Sequence, residues 1–239
     1  CLPLTIDVNY CGGNQPLILT APSGFQSYVW QPGNLSGQQV TINNPTLNQT
    51  YTCTMTTYSN QGTCAVDLSV QASPTLVNSN FVYTAGCENE PITFQATSTL
   101  STISPNVSLS YQWNFGNASP VAASGNTPNT FFNNPGNQIV ELITSSSNGC
   151  SDTIQHLVNI LPTPHITPSV DATCIQQQTS FTLVGSPNVQ QVTWDFGDNS
   201  SLDSGMFVTH QYSTPGNYSI EVIGVGLNGC QDTVTMPLT

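Results

Sequence analysis

The chain has 239 residues and contains no Lys or Arg, and its twelve Asp and Glu give a formal net charge of −12 at pH 7. That charge repels nucleic acid and anionic membranes, and the missing cations exclude a fold held by Lys or Arg salt bridges. No apolar run approaches the about 18 residues needed to cross a membrane, and with no initiator Met or signal peptide the chain is expected to be processed or cut from something longer.

The expected elements are short strands. Gln39 to Ile42 alternate in polarity, Val66, Leu68 and Val70 follow the same rule, and Pro91 to Phe94 behave similarly. Near the end, Tyr218, Ile220 and Val222 share one face while Ser219 and Glu221 take the other. Thr and Val suit half-buried strands, and Asn, Gly and Pro punctuate them at short intervals. No stretch keeps a helical period, so the expected fold class is all-β, built from sandwich modules.

Three segments overlay. The first carries Cys11, Trp30, QTYTCTM at 49–55 and GTCAVDL at 62–68. The second carries Cys87, Trp113 in WNFGN, NPGNQIVEL at 134–142 and NGCSDTI at 148–154. The third carries Cys174, Trp194 in WDFGD, TPGNYSIEV at 214–222 and NGCQDTV at 228–234. This order, repeated three times, predicts modules at 1–72, 73–161 and 162–239. The second boundary lies in the proline-rich run LPTPHITP, which is stiff rather than floppy.

WDFGDNSS followed by HQYSTPGNYSIEVIG at 210–224 resembles a polycystic-kidney-disease (PKD) domain. In the second module Asn114 and Asn117 replace the two aspartates and Phe132 stands near the His-x-Tyr position, while the first module resembles a related immunoglobulin-like unit without the Phe-Gly turn. The closing Asn-Gly-Cys-x-Asp-Thr strand is similar to repeats in giant surface proteins of Bacteroidota, including gliding-motility adhesins exported by the type IX system. The resemblance implies tandem immunoglobulin-like and PKD modules in an extended array, extracellular and at the cell surface, acting as a spacer or ligand-presenting rod. Its partners would be neighbouring modules and a surface polysaccharide or glycan. The alternative is a non-catalytic carbohydrate-binding or spacer appendage of a secreted hydrolase, and neither reading is an enzyme.

Eight cysteines without a Cys-x-x-Cys pair point to disulfides and an oxidising compartment rather than to a metal site. The overlay suggests Cys87–Cys150, Cys174–Cys230 and Cys11–Cys64, which leaves Cys1 with Cys53. Tyr51-Thr52-Cys53 has the spacing of an immunoglobulin strand and favours Cys11–Cys53 instead; a lipidated Cys1 is a further alternative. Trp30, Trp113 and Trp194 are expected between the sheets against a disulfide, rather than as sugar platforms.

Asp195, Asp198 and Asp203, with Asn199 and Ser200, offer the oxygen donors that calcium takes, or else bond their own backbone. No cofactor is required otherwise. Asp152-Thr153 and Asp232-Thr233 match an Asp-Thr-hydrophobic O-glycosylation pattern, with Thr153 and Thr233 as acceptors. Of the histidines, His210 belongs to the resembled His-x-Tyr strand and is expected to be structural. No nucleophile–base set is legible, and the pair Glu88 and Glu90 has no pocket built around it. Trypsin-like proteases would find no cleavage site.

Overall fold

The computed structural model describes residues 4–12, 15–59, 62–102, 106–171, 176–184 and 188–239, except for the side chains of 59 and 62–64. Every regular element among them is a strand.

The first module holds β1 Leu4–Cys11, β2 Leu17–Thr20, β3 Ser27–Gln31, β4 Leu35–Ser36, β5 Gln39–Ile42, β6 Thr50–Ser59 and β7 Gly62–Asn78. The second holds β8 Phe81–Tyr83, β9 Gly86–Cys87, β10 Pro91–Ala96, β11 Thr99–Ser101, β12 Leu109–Asn114, β13 Ala122–Ser124, β14 Asn129–Phe131, β15 Gly136–Ser146 and β16 Ser151–Leu161. The third holds β17 Pro168–Val170, β18 Thr179–Leu183, β19 Val189–Asp195, β20 Asp203–Ser204, β21 Phe207–His210, β22 Tyr218–Gly226 and β23 Gln231–Leu238.

Each module pairs a larger sheet with a smaller one. The larger sheets run β1-β7-β6-β3-β4, β13-β12-β15-β16-β9 and β20-β19-β22-β23, and the smaller ones β2-β5, β14-β10-β8 and β17-β18-β21. Alternation decides which face is inside. On β15, Val140, Leu142 and Thr144 are buried while Glu141, Ile143 and Ser145 lie on the other face and are half-buried, and on β22 Ile220 and Val222 are buried around exposed Glu221. A one-residue slip would expose the whole apolar set, so each register is firmly specified.

Three separate apolar cores result, one per module. Each is centred on its tryptophan, and Trp30, Trp113 and Trp194 are all at most 2% exposed. The indole N–H of each donates to a backbone carbonyl, of Gly37, Gly125 and Gly205, at 3.0, 2.9 and 2.9 Å. The one polar atom of each ring is therefore satisfied inside an apolar environment. In the second module Trp113 packs with Phe94 and Phe115, and in the third Trp194 packs with Phe181, which also touches Phe196. No described disulfide lies against these rings. That corrects the expected Trp–disulfide packing, because the described disulfides lie at the ends of the modules.

The Phe-Gly turns are built alike. Asn114 and Asp195 each accept the N–H two residues on, from Gly116 and Gly197, at 3.0 and 2.9 Å. Gly197 has φ +71°, and a Cβ there would fall 2.4 Å from the Ser219 carbonyl oxygen, so the turn demands glycine.

Candidate functional site

The closing hairpin of each PKD-like module opens at an Asn-Gly-Cys turn. In the second module the Gly149 N–H donates to Ser146 O and the Ser146 N–H to Cys150 O, at 2.9 and 2.7 Å. In the third, Gly229 and Gly226 donate to Gly226 O and Cys230 O in the same pattern. Both turn glycines have positive φ, which suits glycine after asparagine. The turn cysteine thus sits at one pole of its module.

The early cysteine sits at the other pole. Cys87 ends β9 and pairs in parallel with Leu161, the last residue of β16, whereas Cys150 immediately precedes the first. Eleven residues of strand separate the two poles, about 35 Å at ~3.3 Å per residue. A disulfide tolerates Cα atoms only about 7 Å apart at most. Cys87–Cys150 is therefore corrected: Cys150 bonds Cys11 of the first module, with Cα–Cα 5.2 Å. Cys230 bonds Cys87 of the second module, with Cα–Cα 5.8 Å, which corrects Cys174–Cys230.

The same ruler applies in the first module. Cys11 pairs with Thr75, while Cys64 and Cys53 stand opposite Thr57 and Leu68, far back along β7, so neither Cys11–Cys64 nor Cys11–Cys53 can form. Cys53 is a free thiol, fully buried in the core, which removes Cys1–Cys53 as well. Burial pushes its pKa up. Cys1 and Cys174 lie outside the described residues, as does the side chain of Cys64.

Around each inter-module disulfide the hairpin grips the segment joining two modules. At the first joint, Asn148 Nδ2 donates to Thr75 Oγ1 at 2.8 Å, and Asp152 Oδ2 accepts the Ser79 N–H at 2.7 Å. Ser79 Oγ donates in turn to Asp152 O. There β7 runs past position 72 and pairs with β11, so one strand serves two modules. At the second joint, Asn228 Nδ2 donates to Pro162 O at 2.7 Å, and Asp232 Oδ2 accepts the Ile166 N–H at 3.1 Å. Glu88 adds a contact of its own, its Oε1 accepting the Thr163 N–H at 2.9 Å.

The Asn, Cys and Asp of the repeated motif therefore act together on the joint. Overlaying the motifs located these residues, but their partners Thr75, Ser79, Pro162 and Ile166 carried no signal in the sequence. Thr153 and Thr233, next to the joint aspartates, are exposed.

The turn carboxylates of the third module do not converge. Asp195 accepts from Gly197, Asp203 from Ser204, and Asp198 from Ser200 on one oxygen and from His210 Nε2 on the other, at 2.8 Å. Among the described residues no three His, Cys, Asp or Glu side chains form a metal-holding group. The His210 ring also stacks on Phe196, with centroids 4.1 Å apart. Burial pushes the Asp198 carboxyl up, but the hydrogen bonds from Ser200 and His210 together outweigh it and leave it below the ordinary aspartate value. The Tyr212 hydroxyl donates to Phe196 O, and burial, then the negative Asp198 and Tyr218, push its pKa well up.

Stacked sandwiches, each with its own core and joined by a strand or a short proline segment, define a tandem immunoglobulin-like array. The PKD domain family matches residues 71–161 and 159–239, and the chain belongs to that family. No curated protein matches the chain. Among solved structures, it is similar to the three N-terminal domains of the highly immunogenic outer capsid protein of bacteriophage RB49, at 14% identity over 93% of each chain with TM-score 0.39. It is also similar to the mouse nectin-like molecule 4 ectodomain, at 12% identity over 99% of this chain and 96% of that one with TM-score 0.33. An I-band fragment of titin matches at 12% identity over 98% of this chain and 94% of that one, with TM-score 0.34.

Proposed function

We propose that this chain is a spacer segment of a long extracellular surface protein, a rod that holds or presents a ligand at a distance from the cell. The observation that carries the reading is the pair of joints: the same three motif residues fix consecutive modules twice, covalently and by hydrogen bonds. A spacer needs a set angle between units, and an adhesive array under load needs units that do not come apart.

The parent protein we infer is a Bacteroidota surface adhesin of the gliding-motility type exported by the type IX system, on the strength of the repeated Asn-Gly-Cys-x-Asp-Thr strand. No catalytic step and no cofactor enters this reading. Its partners are neighbouring modules and a surface glycan held elsewhere in the array.

Small-angle X-ray scattering of the oxidised chain tests it. The expected result is a single elongated particle about three module lengths long. A compact particle with modules folded against one another would overturn the rod. A digest adds a second readout, since the denatured, reduced chain should survive trypsin intact.

A further inference from the structure

Each joint pairs a half-buried cysteine, Cys11 or Cys87, with a buried one, Cys150 or Cys230, and the joints differ in the groove beside that pair. The first opens into a groove of about 400 Å³ lined by both of its cysteines, Cys11 and Cys150, with Asp152 as its one carboxylate. The groove at the second joint is as large, about 410 Å³, but neither Cys87 nor Cys230 lines it. Three carboxylates do, from Glu88, Glu90 and Asp232. His165 is the one basic side chain lining the same groove, and the chain has no Lys or Arg to offset the carboxylates.

We propose that the first joint is a redox-operated hinge, opened by small anionic thiols, and that the second is a clamp shielded by its carboxylates. The thiolate of a glutathione-type reductant attacks Sγ of Cys11, the less buried of the two residues. The Cys11–Cys150 bond breaks and Cys150 leaves as a thiolate, which takes up a proton. A second glutathione thiolate attacks the mixed disulfide, Cys11 leaves, and the balance is two glutathiones oxidised to one disulfide for one protein disulfide reduced to two thiols.

Opening does not unfold a module. The cores of the second and third modules close around Trp113 and Trp194 without a sulfur–sulfur bond, and the only buried thiol within a described core, Cys53, is already free. With the bond open, the first joint is held only by β7, its pairing with β11 and the Asn148 and Asp152 hydrogen bonds, and the rod bends there. At the second joint, two additional negative charges near the path of an anionic attacker slow it roughly tenfold at aqueous screening.

The inference rests on the joints described above, and its test is separate from the scattering experiment. The oxidised full chain is exposed to glutathione, quenched at intervals with an alkylating agent and digested with pepsin, and the labelled cysteines are identified by mass. Cys11 and Cys150 should be labelled roughly tenfold sooner than Cys87 and Cys230. Cysteamine, whose ammonium offsets its thiolate, should narrow that gap, as should Glu90→Gln with glutathione.

Tryptophan fluorescence should stay native throughout while the hydrodynamic radius falls, because a bent rod is more compact than a straight one. Equal labelling rates, or earlier opening of the second joint, would overturn the proposal. A gap that cysteamine and Glu90→Gln leave unchanged would remove the electrostatic shield. Loss of native fluorescence on opening would remove the hinge. An elongated particle with equal labelling rates would keep the rod and reject the hinge, whereas a compact particle with ordered labelling would do the reverse.

Discussion

The interiors of the modules and the joints between them are held by different chemistry. Inside, an aromatic or aliphatic core surrounds one tryptophan, and the one ion pair among the described residues is His210–Asp198, near the surface of the third module. At the joints cysteine, asparagine and aspartate do the holding. A sandwich of roughly 80 residues is marginal on burial alone, so staples inside each module are the natural expectation. The two described disulfides lie between modules, so they serve the geometry of the joints.

The hardest way to break that distinction is to damage a core. Trp194→Ala removes a fully buried ring and orphans the Gly205 carbonyl, and should destabilise the third module by about 3–5 kcal/mol. Domain-resolved hydrogen exchange should show the third module opening while the first two keep their protection. Collective loss of all three would mean that the cores are not independent.

Cys150→Ser acts on the joint. If the disulfide stabilised a module, closing a loop of 139 residues would contribute about 5 kcal/mol in the chain-entropy model. With the bond between modules, we expect the urea midpoints of the second and first modules to stay almost unchanged while the hydrodynamic radius decreases. A large fall in either midpoint would show that the bond holds the fold as well as the angle.

The fold class and the repeat were legible because alternation, the three tryptophans and the Asn-Gly and Phe-Gly turns are local signals. Disulfide partners are not local. The overlay correctly placed Cys87 and Cys150 at matching positions of one repeat, but being in the same repeat says nothing about being at the same pole. Counting the residues of β16 would have separated them, and that requires knowing that β9 pairs with the far end of the strand rather than the near one. The aspartates of the Asp-Thr motif were equally ambiguous, because a carboxylate that accepts a linker N–H looks the same in a sequence as one that marks a modified threonine.

A smaller change sharpens the joint itself. Asp232→Ala removes the acceptor for the Ile166 N–H and leaves the disulfide in place. Loss of one charge-assisted bond at a half-buried site should cost roughly 1–2 kcal/mol of local opening free energy. The measurement is the exchange rate of the Ile166 amide, which should rise about tenfold or more while amides in the core of the third module keep their rates. The equivalent test at the first joint is Asp152→Ala read at the Ser79 amide.

The weakest expected effect concerns the single ion pair and separates the third module from the other two. The folded Asp198 carboxyl lies below its ordinary value of 3.8, because the hydrogen bonds from Ser200 and His210 outweigh the opposing effect of burial. A carboxylate depressed on folding contributes stability at pH values above the unfolded value, and that contribution fades as pH falls through the folded one. The third module should therefore lose stability below about pH 4 more steeply than the second, whose equivalent turn carries Asn117. Asp198→Asn should flatten that slope without altering the behaviour of the second module, as read from thermal midpoints at pH 3 to 6. If the slope persists in the variant, the acid sensitivity of the third module does not come from the Asp198–His210 pair.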